Sequence, residues 1–182
     1  MKGLEAIQIR PVQNGDLPML MGLDHASMTD QVWQLELKRD PRGTQVTATF
    51  REVRLPRPVD LAYPNDPFAL ADEWKRKAMI YVALSGSEAV GYVAMTRPRT
   101  EIAWITDIVV SPKQRRRGVA SAMLAAAHKW CSDEGILKIF IEMQSKNHPA
   151  MMLVHKLGYE FCGYNDQYYS TQDIAIVFVR QI

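Results

Sequence analysis

The chain has 182 residues, of which 47% are hydrophobic and 23% are charged, and its formal net charge is +2. This length corresponds to one globular domain of roughly 100–200 residues. The charge is too small for a surface devoted to nucleic acid, and the longest apolar run, Ala78 to Leu84, is too short to span a membrane. The first ten residues contain no apolar signal segment. We therefore expect a single cytoplasmic domain over residues 1–182.

The first half of the chain has weak secondary-structure patterns. Residues 5–10 alternate polar and apolar side chains, which predicts a strand, and a helix is expected over about 17–27. Thr44 to Leu55 is rich in Thr, Val and Phe and predicts another strand. Residues 56–73 are expected to form a long irregular connection because four prolines fall within them, namely Pro56, Pro58, Pro64 and Pro67.

The second half has clearer periodicity. Two apolar runs joined by Ser85 to Glu88 predict a hairpin, and the apolar segment Glu101–Val110 predicts a central strand. A helix is expected from Val119 to its cap at Gly135, and another from Asn147 to Gly158. Further strands are predicted at Ile136–Met143, Tyr159–Tyr164 and Asp173–Val179. This order of elements indicates an α+β or mixed α/β fold.

The segment Ile105–Ala127 carries the strongest functional signal. A buried strand leads into a basic loop and then into a helix, with Gly118 at the junction. Glycine permits a backbone conformation that a Cβ would forbid, and the free N–H groups of a helix start form an anion site. Arg115 to Arg117 add charges suited to phosphate oxygens. The pattern predicts a phosphate-bearing ligand; charge alone is equally compatible with a solvated basic turn.

Two motifs in this half resemble those of the GNAT family of N-acetyltransferases. The loop Arg115-Arg116-Arg117-Gly118-Val119-Ala120 is similar to motif A, Arg/Gln-x-x-Gly-x-Gly/Ala, and Asn147 to Tyr159 is similar to motif B. The resemblance covers Ala78 to Val179 well and the first half more loosely. Shorter pieces, including Phe50 to Val53 and Tyr168-Tyr169, resemble the streptothricin acetyltransferase branch.

The resemblance implies a GNAT fold, with a central, twisted, mostly antiparallel sheet whose middle strands splay apart between flanking helices. It also implies acetyl-CoA as co-substrate, with its pantetheine arm pairing with the end of a strand. The residues expected to bind the pyrophosphate are Arg115, Arg116, Arg117, Gly118, Val119, Ala120 and Ser121, and those expected along the pantetheine arm are Ile108, Val109, Val110 and Asn147.

Direct acetyl transfer to an amine requires a base for the ammonium and benefits from an acid for the leaving thiolate. Asp107 is the first candidate base, because a carboxylate in an apolar strand must be paired or neutralised; a structural salt bridge is the alternative. Glu101 and Glu142 are further candidates. The family's usual acid is a tyrosine of motif B, where this chain has Val154.

The general acid in place of that tyrosine is expected from the last hairpin, or an ordered water takes this role. Each candidate has packing between strands as its alternative role. The candidate acids are Tyr164, Tyr168 and Tyr169; His155 is expected to face away from the site, and His25, His128 and His148 are expected to be structural or exposed.

The resemblance implies an acetyl-CoA-dependent N-acetyltransferase that acts on a primary amine of an antibiotic-like or metabolite-like small molecule, or of a peptide. One alternative is a non-catalytic acyl-CoA-binding domain of the same fold. Nucleic-acid binding through Lys113 to Arg117 is disfavoured, because no aromatic residues are interleaved with the charges. We expect no metal, no nucleic-acid partner and no membrane partner. The resemblance to the family suggests a homodimer through the carboxy-terminal strands.

Overall fold

The computed structural model describes residues 6–182, so Glu5 of the first predicted strand and the start of the segment searched for a signal lie outside the described residues. The strands are β1 (Ile7–Pro11), β2 (Ser27–Arg39), β3 (Val46–Leu61), β4 (Met79–Ser85), β5 (Glu88–Arg99), β6 (Ile102–Val110), β7 (Lys138–Gln144), β8 (Glu160–Asn165) and β9 (Ala175–Gln181). The helices are α1 (Leu17–Met21), α2 (Leu70–Glu73), α3 (Val119–Asp133) and α4 (His148–Lys156).

Seven of these strands form one sheet in the order β1-β4-β5-β6-β7-β9-β8. Every neighbouring pair is antiparallel except β6 and β7, which run parallel. Helix α3 connects the parallel pair, as such a crossover requires. The architecture confirms the expected mixed fold with a mostly antiparallel sheet. None of the helices within residues 6–182 is long and apolar enough to cross a membrane.

The elements predicted in the second half are present. The hairpin is β4–β5, the central strand is β6, and both helices begin where their caps predict. Gly118 precedes α3 with φ +84°, a conformation that a side chain rarely adopts. The Asn147 side chain caps α4 by accepting a hydrogen bond from the Ala150 amide at 3.3 Å.

The first half differs from its prediction in two places. The helix expected over 17–27 ends at Met21, and the chain turns into the unpredicted strand β2 at Ser27. Two parts of the connection expected to be irregular over residues 56–73 are regular: residues 56–61 belong to β3, and Leu70–Glu73 form α2. Thr29 pairs with Val59 and Gln31 with Arg54, so residues 55–58 bulge out of the ladder. A bulge accommodates prolines without a missing ladder bond, which is why the strand continues.

Strands β2 and β3 form a two-stranded ribbon outside the main sheet. Its anchor is Trp33, whose ring contacts the rings of Phe50, His155 and Phe178 at centroid distances of 5.8–6.3 Å. The Trp33 amide donates to the carbonyl of Ser145 at 2.8 Å. The ribbon therefore lies over the β7–β9 side of the sheet, next to α4.

The core lies on both faces of the main sheet. Helix α3 packs Met123 and Leu124 on one face, and α1 packs Leu17 and Leu20 on the other. All four leucine and methionine side chains are buried, and truncating such a side chain to alanine typically costs about 2–5 kcal/mol. The central strands are thus fixed from both sides, which holds the ends of β6 and β7 in place.

Those two ends separate. The parallel ladder between β6 and β7 runs only from the Ile102–Lys138 pair to the Ile105–Ile141 pair. Beyond Ile105 the two strands are no longer paired with each other, although each continues for several residues. The divergence opens a gap in the sheet, as expected from the splayed middle strands of the GNAT fold.

Candidate active site

A cleft of about 640 Å³ lies at the gap between β6 and β7 and extends to the starts of α3 and α4. It brings together nearly all the residues predicted to bind the co-substrate. Those that line it are Ile108, Val109, Val110, Arg115, Arg116, Gly118, Val119, Ala120, Ser121 and Asn147. Arg117 does not line the cleft; its guanidinium donates to Gln114 Oε1 at 3.1 Å.

The start of α3 forms the floor of the predicted anion site. No side chain within residues 6–182 caps this helix, and all three residues of its first turn, Val119 to Ser121, line the cleft. The loop before it is tightly curved, with φ +63° at Arg116 as well as the positive φ of Gly118. Free amides and the positive end of the helix dipole therefore face the cleft and fit a pyrophosphate.

Arg115 holds this loop in place with its side chain. Its Nε donates to the carbonyl of Val110 at 2.9 Å, and one terminal nitrogen donates to the carbonyl of Ala26 at 2.6 Å. The guanidinium thus ties the anion loop to the end of β6 and to the segment before β2. Both attachments are structural, so the backbone of Arg115 is better placed than its charge to contact a ligand.

Asp107 on β6 has a full set of partners. Its Oδ1 accepts hydrogen bonds from the Tyr63 hydroxyl and from Asn65 Nδ2, the latter at 3.2 Å. Its Oδ2 accepts from Thr106 Oγ1 at 2.7 Å and lies 3.6 Å from Lys77 Nζ. Three hydrogen bonds and the ion pair with Lys77 thus engage both oxygens of Asp107. Asp107 therefore organises its neighbours, and this role competes with its use as a base.

Tyr63, Tyr92 and His25 connect Asp107 with the cleft, and the sequence patterns did not indicate this arrangement. Burial and the charge of Asp107 raise the pKa of Tyr63 well above its ordinary value, and burial raises that of Tyr92. His25 Nε2 lies 3.2 Å from the Tyr92 hydroxyl, and His25 Nδ1 donates to the carbonyl of Leu23 at 2.7 Å. His25 also lines the cleft, and both of its ring nitrogens contact groups of the protein.

Glu142 on β7 is the second carboxylate at the gap. Burial raises its pKa, and hydrogen bonds from Tyr168 and Tyr169 partly oppose that rise. Tyr169 Oη lies 3.5 Å from Glu142 Oε1. No lysine or arginine of the described part of the chain forms an ion pair with Glu142, so its acceptor positions are less committed than those of Asp107.

The three candidate tyrosines occupy different places. Tyr169 lines the cleft, and Tyr168 lines a second pocket described below. Burial, with the charge of Glu142, raises the pKa of Tyr169, so this phenol stays protonated at neutral pH. Tyr164 instead packs edge-on against Phe50 of the ribbon, which is the packing role given as its alternative.

The side chains of motif B that line the cleft do not include the position at which the family usually has a tyrosine. Val154 is buried in the core and does not line the cleft, whereas Leu153 and Lys156 do. His155 packs on Trp33 and Phe178, and it lies outside the lining as expected. Of the α4 residues that line the cleft, Lys156 is the one with a polar side-chain group, and none carries a phenol.

A second pocket, of about 450 Å³, adjoins the cleft. Both carboxylates of the gap line both cavities, together with Tyr63, Asn65 and Thr106. The pocket also contains Asp66 and Glu73, and Lys77 is the one cationic side chain among its lining residues. Its charge is therefore strongly negative, which suits a cationic ligand.

Comparisons with known proteins agree with this arrangement. The model of the acetyltransferase (GNAT) family matches residues 47–159. A streptothricin acetyltransferase of Streptomyces lavendulae is 24% identical over 172 residues, covering 89% of this chain and 86% of that protein. The crystal structure of nourseothricin acetyltransferase aligns with a TM-score of 0.79 and 23% identity over 97% of this chain and 98% of that chain.

A Bacillus anthracis protein crystallised with acetyl coenzyme A also has this fold, with a TM-score of 0.75 and 21% identity over 97% of this chain and all of that chain. These findings confirm the expected fold and the resemblance read from motifs A and B. The family model covers well over half of the chain. The chain therefore belongs to the GNAT family of acetyltransferases and is an acetyl-CoA-dependent N-acetyltransferase.

Proposed function

We propose that this enzyme acetylates a primary amine of a cationic small molecule or peptide that binds in the second pocket. The observation that carries the proposal is the junction of two cavities at one pair of carboxylates, Asp107 and Glu142. One cavity has an anion-binding helix start, and the other is acidic. Relatives named for streptothricin acetylation support a small-molecule acceptor.

The cleft fits acetyl-CoA, which supplies an acetyl thioester when bound. The amides of Val119 to Ser121, with the loop from Arg115, would hold the pyrophosphate. Ile108 to Val110 pair with β5 on one side only, so the other edge of β6 offers its backbone to an extended arm, and Asn147 also lines the cleft. Arg117, expected in this set, contributes through the loop rather than through the cleft lining.

Glu142 is the proposed proton acceptor. An alkylammonium must lose a proton before its nitrogen can attack, and a carboxylate with a raised pKa takes that proton more readily than an ordinary one. Glu142 lines both cavities and carries no cationic partner among the described residues, whereas Asp107 accepts three hydrogen bonds and forms an ion pair with Lys77. We assign Asp107, the first candidate base, the role of holding Tyr63, Asn65 and Lys77 around the acceptor.

Tyr169 is the proposed proton donor to the departing thiolate. Its hydroxyl is protonated at neutral pH, as in an ordinary tyrosine, and it lines the cleft. Its contact with Glu142 provides a path by which the phenol regains a proton. Tyr168 orients Glu142 from the acceptor side. Overall, an alkylammonium and a thioester become an amide, a thiol and one released proton.

Three further expectations stay predictions. They are the single domain over residues 1–182, a cytoplasmic location and a homodimer through the carboxy-terminal strands. Membership in the family and the meeting of two cavities at Asp107 and Glu142 favour an enzyme over a non-catalytic acyl-CoA-binding domain.

The proposal is tested by measuring CoA release, corrected for thioester hydrolysis, with a panel of amines. The panel contains streptothricin, aminoglycosides, polyamines, amino acids and amino-terminal peptides. We expect turnover of at least one acceptor, and at least a 100-fold loss of kcat/KM in Gly118→Glu, where the new carboxylate faces the anion site. No turnover of any amine would contradict the proposal.

Gly135→Glu is the matched control. Gly135 has φ +68° at the other end of α3, and a Cβ added at either glycine would meet no other atom within 4 Å. Both changes therefore impose similar backbone strain and add the same charge, but only one lies in the cleft. We expect Gly135→Glu to retain kcat/KM within about threefold. Equal losses in both variants would show that strain, not ligand binding, explains the effect.

A further inference from the structure

We propose that Lys77 determines acceptor specificity by filling an ammonium-binding position inside the acceptor pocket. The inference rests on the proposed function, because it assumes that the second pocket receives the amine. The expected acceptor is therefore an amine that does not place a second ammonium group at the position of the Lys77 amine.

The geometry around the Lys77 amine is that of a formed ammonium site. Nζ lies 3.1 Å from Thr106 Oγ1, 3.6 Å from Asp107 Oδ2 and 3.7 Å from Glu73 Oε2. Three oxygens, two of them anionic, thus surround a group that has three N–H donors. The side chain is only 12% exposed, although it lines the pocket. A primary ammonium of a ligand would require the same surroundings.

The backbone fixes this lysine at the pocket wall. The Lys77 amide donates to the carbonyl of Trp74 at 3.3 Å, closing the turn that follows α2. The next amide, that of Ala78, donates to the carbonyl of Met95 at 2.8 Å and joins the chain to the sheet. The side chain therefore enters the pocket from a fixed point, and its ammonium cannot leave without losing all three oxygen partners.

The three oxygens around the Lys77 amine do not need the lysine to hold them in place. Without it, Asp107 still accepts hydrogen bonds from Tyr63, Asn65 and Thr106. Glu73 is half exposed and can be hydrated. Removing the lysine charge leaves an anionic site open to a ligand, while Glu142 remains available to the reacting amine. An acceptor with a second ammonium can then bind with that group at the lysine position.

The test compares acceptors in matched pairs, such as pentylamine and 1,5-diaminopentane, together with corresponding pairs built on the best acceptor of the panel. We measure the ratio of kcat/KM for the diamine to that for the monoamine. Lys77→Ala removes the charge and leaves the position of the ammonium open, and we expect this ratio to rise at least tenfold. Lys77→Arg keeps the charge, and we expect a ratio within threefold of wild type.

Lys77→Ser provides a second uncharged variant, which also leaves the position of the ammonium open, should the alanine variant not fold. Folding is checked by thermal denaturation. An unchanged ratio in a folded uncharged variant, or an equal rise in Lys77→Arg, would overturn the inference. Wild-type enzyme that turns over no amine would instead contradict the proposed function, so the two failures are distinguishable.

Discussion

Tyr63 donates a hydrogen bond to Asp107, although 44 positions separate the two residues along the chain. The bond joins the irregular segment after β3 to the central strand β6, at the boundary between the cleft and the acceptor pocket. Because the acceptor is a buried carboxylate, the hydrogen bond is of the charge-assisted, stronger kind. The pair therefore fixes the wall that both cavities share.

Tyr63→Phe should weaken acceptor binding more than co-substrate binding. The change removes one donor from Asp107, and a hydrogen bond to a charged group is worth about 1.5–3 kcal/mol. We expect the KM for the amine to rise about tenfold, with the KM for acetyl-CoA within twofold of wild type. Steady-state kinetics with each substrate varied in turn measures both values.

Tyr164→Phe is the control for this change. Tyr164 packs on Phe50 and lines neither of the two cavities that meet at the carboxylates. The same hydroxyl deletion there should leave both KM values unaltered. A parallel rise in the two KM values of Tyr63→Phe would show a general loss of structure rather than a specific effect on the acceptor side.

Glu142→Gln should lower kcat with little effect on folding. The amide keeps the shape of the side chain and its contacts with Tyr168 and Tyr169 but cannot take a proton. Loss of a positioned base typically costs about 10²–10⁴-fold in rate. We expect a fall of that size in kcat, measured by CoA release at saturating substrates.

The pH profile gives an independent readout of the same residue. Burial raises the pKa of Glu142, so its carboxylate is protonated, and inactive as a base, at higher pH than an ordinary glutamate. Wild-type activity should therefore fall on the acid side with an apparent pKa above the ordinary value for glutamate. That acid limb should vanish from the residual activity of Glu142→Gln. If Asp107→Asn removed the limb instead, the roles assigned to the two carboxylates would be reversed.

The co-substrate side of the site is predictable from the sequence because its residues are contiguous. Gly118, its neighbouring arginines and the first turn of α3 form one local structure, and Asn147 marks the start of the next helix. The acceptor side depends on Tyr63 and Lys77, which long-range packing brings to β6. Nothing in the local pattern of either residue indicates that contact.

The ribbon could be predicted only in part. The strand expected over Thr44–Leu55 lies largely in β3, whereas β2 is not predicted, because apolar and polar side chains alternate only over Trp33–Lys38 of its thirteen residues. The prolines of β3 indicate a loop by every local rule, and only the pairing with β2 shows that they occupy a bulge. Asp107 is unusual among its apolar neighbours in the sequence, but its three hydrogen-bond donors and its ion pair with Lys77 become visible only in the assembled structure.

His128 should make the stability of the fold depend on pH. Its Nε2 lies 2.8 Å from the Tyr159 hydroxyl and its Nδ1 accepts from Arg180 at 3.1 Å. Burial, with the nearby Arg180 charge, lowers the pKa of His128 to about 4. The unfolded chain therefore binds a proton at this position near pH 6.5, before the folded protein does.

The stability associated with neutral His128 is thus complete above about pH 6.5 and is lost as the pH falls towards 4. With allowance for solvent screening of a partly buried group, we expect a loss of about 1–3 kcal/mol in the free energy of unfolding. His128→Gln offers a donor to Tyr159 and an acceptor to Arg180 without a titrating group, so its stability should change less across this range. His155→Gln is the control at a second histidine, and its loss of stability between pH 7.5 and 4.5 should match that of wild type even if its packing on Trp33 changes the absolute stability. Urea denaturation at pH 7.5, 5.5 and 4.5 measures the difference between the variants; identical pH dependence in all three proteins would contradict the assignment to His128.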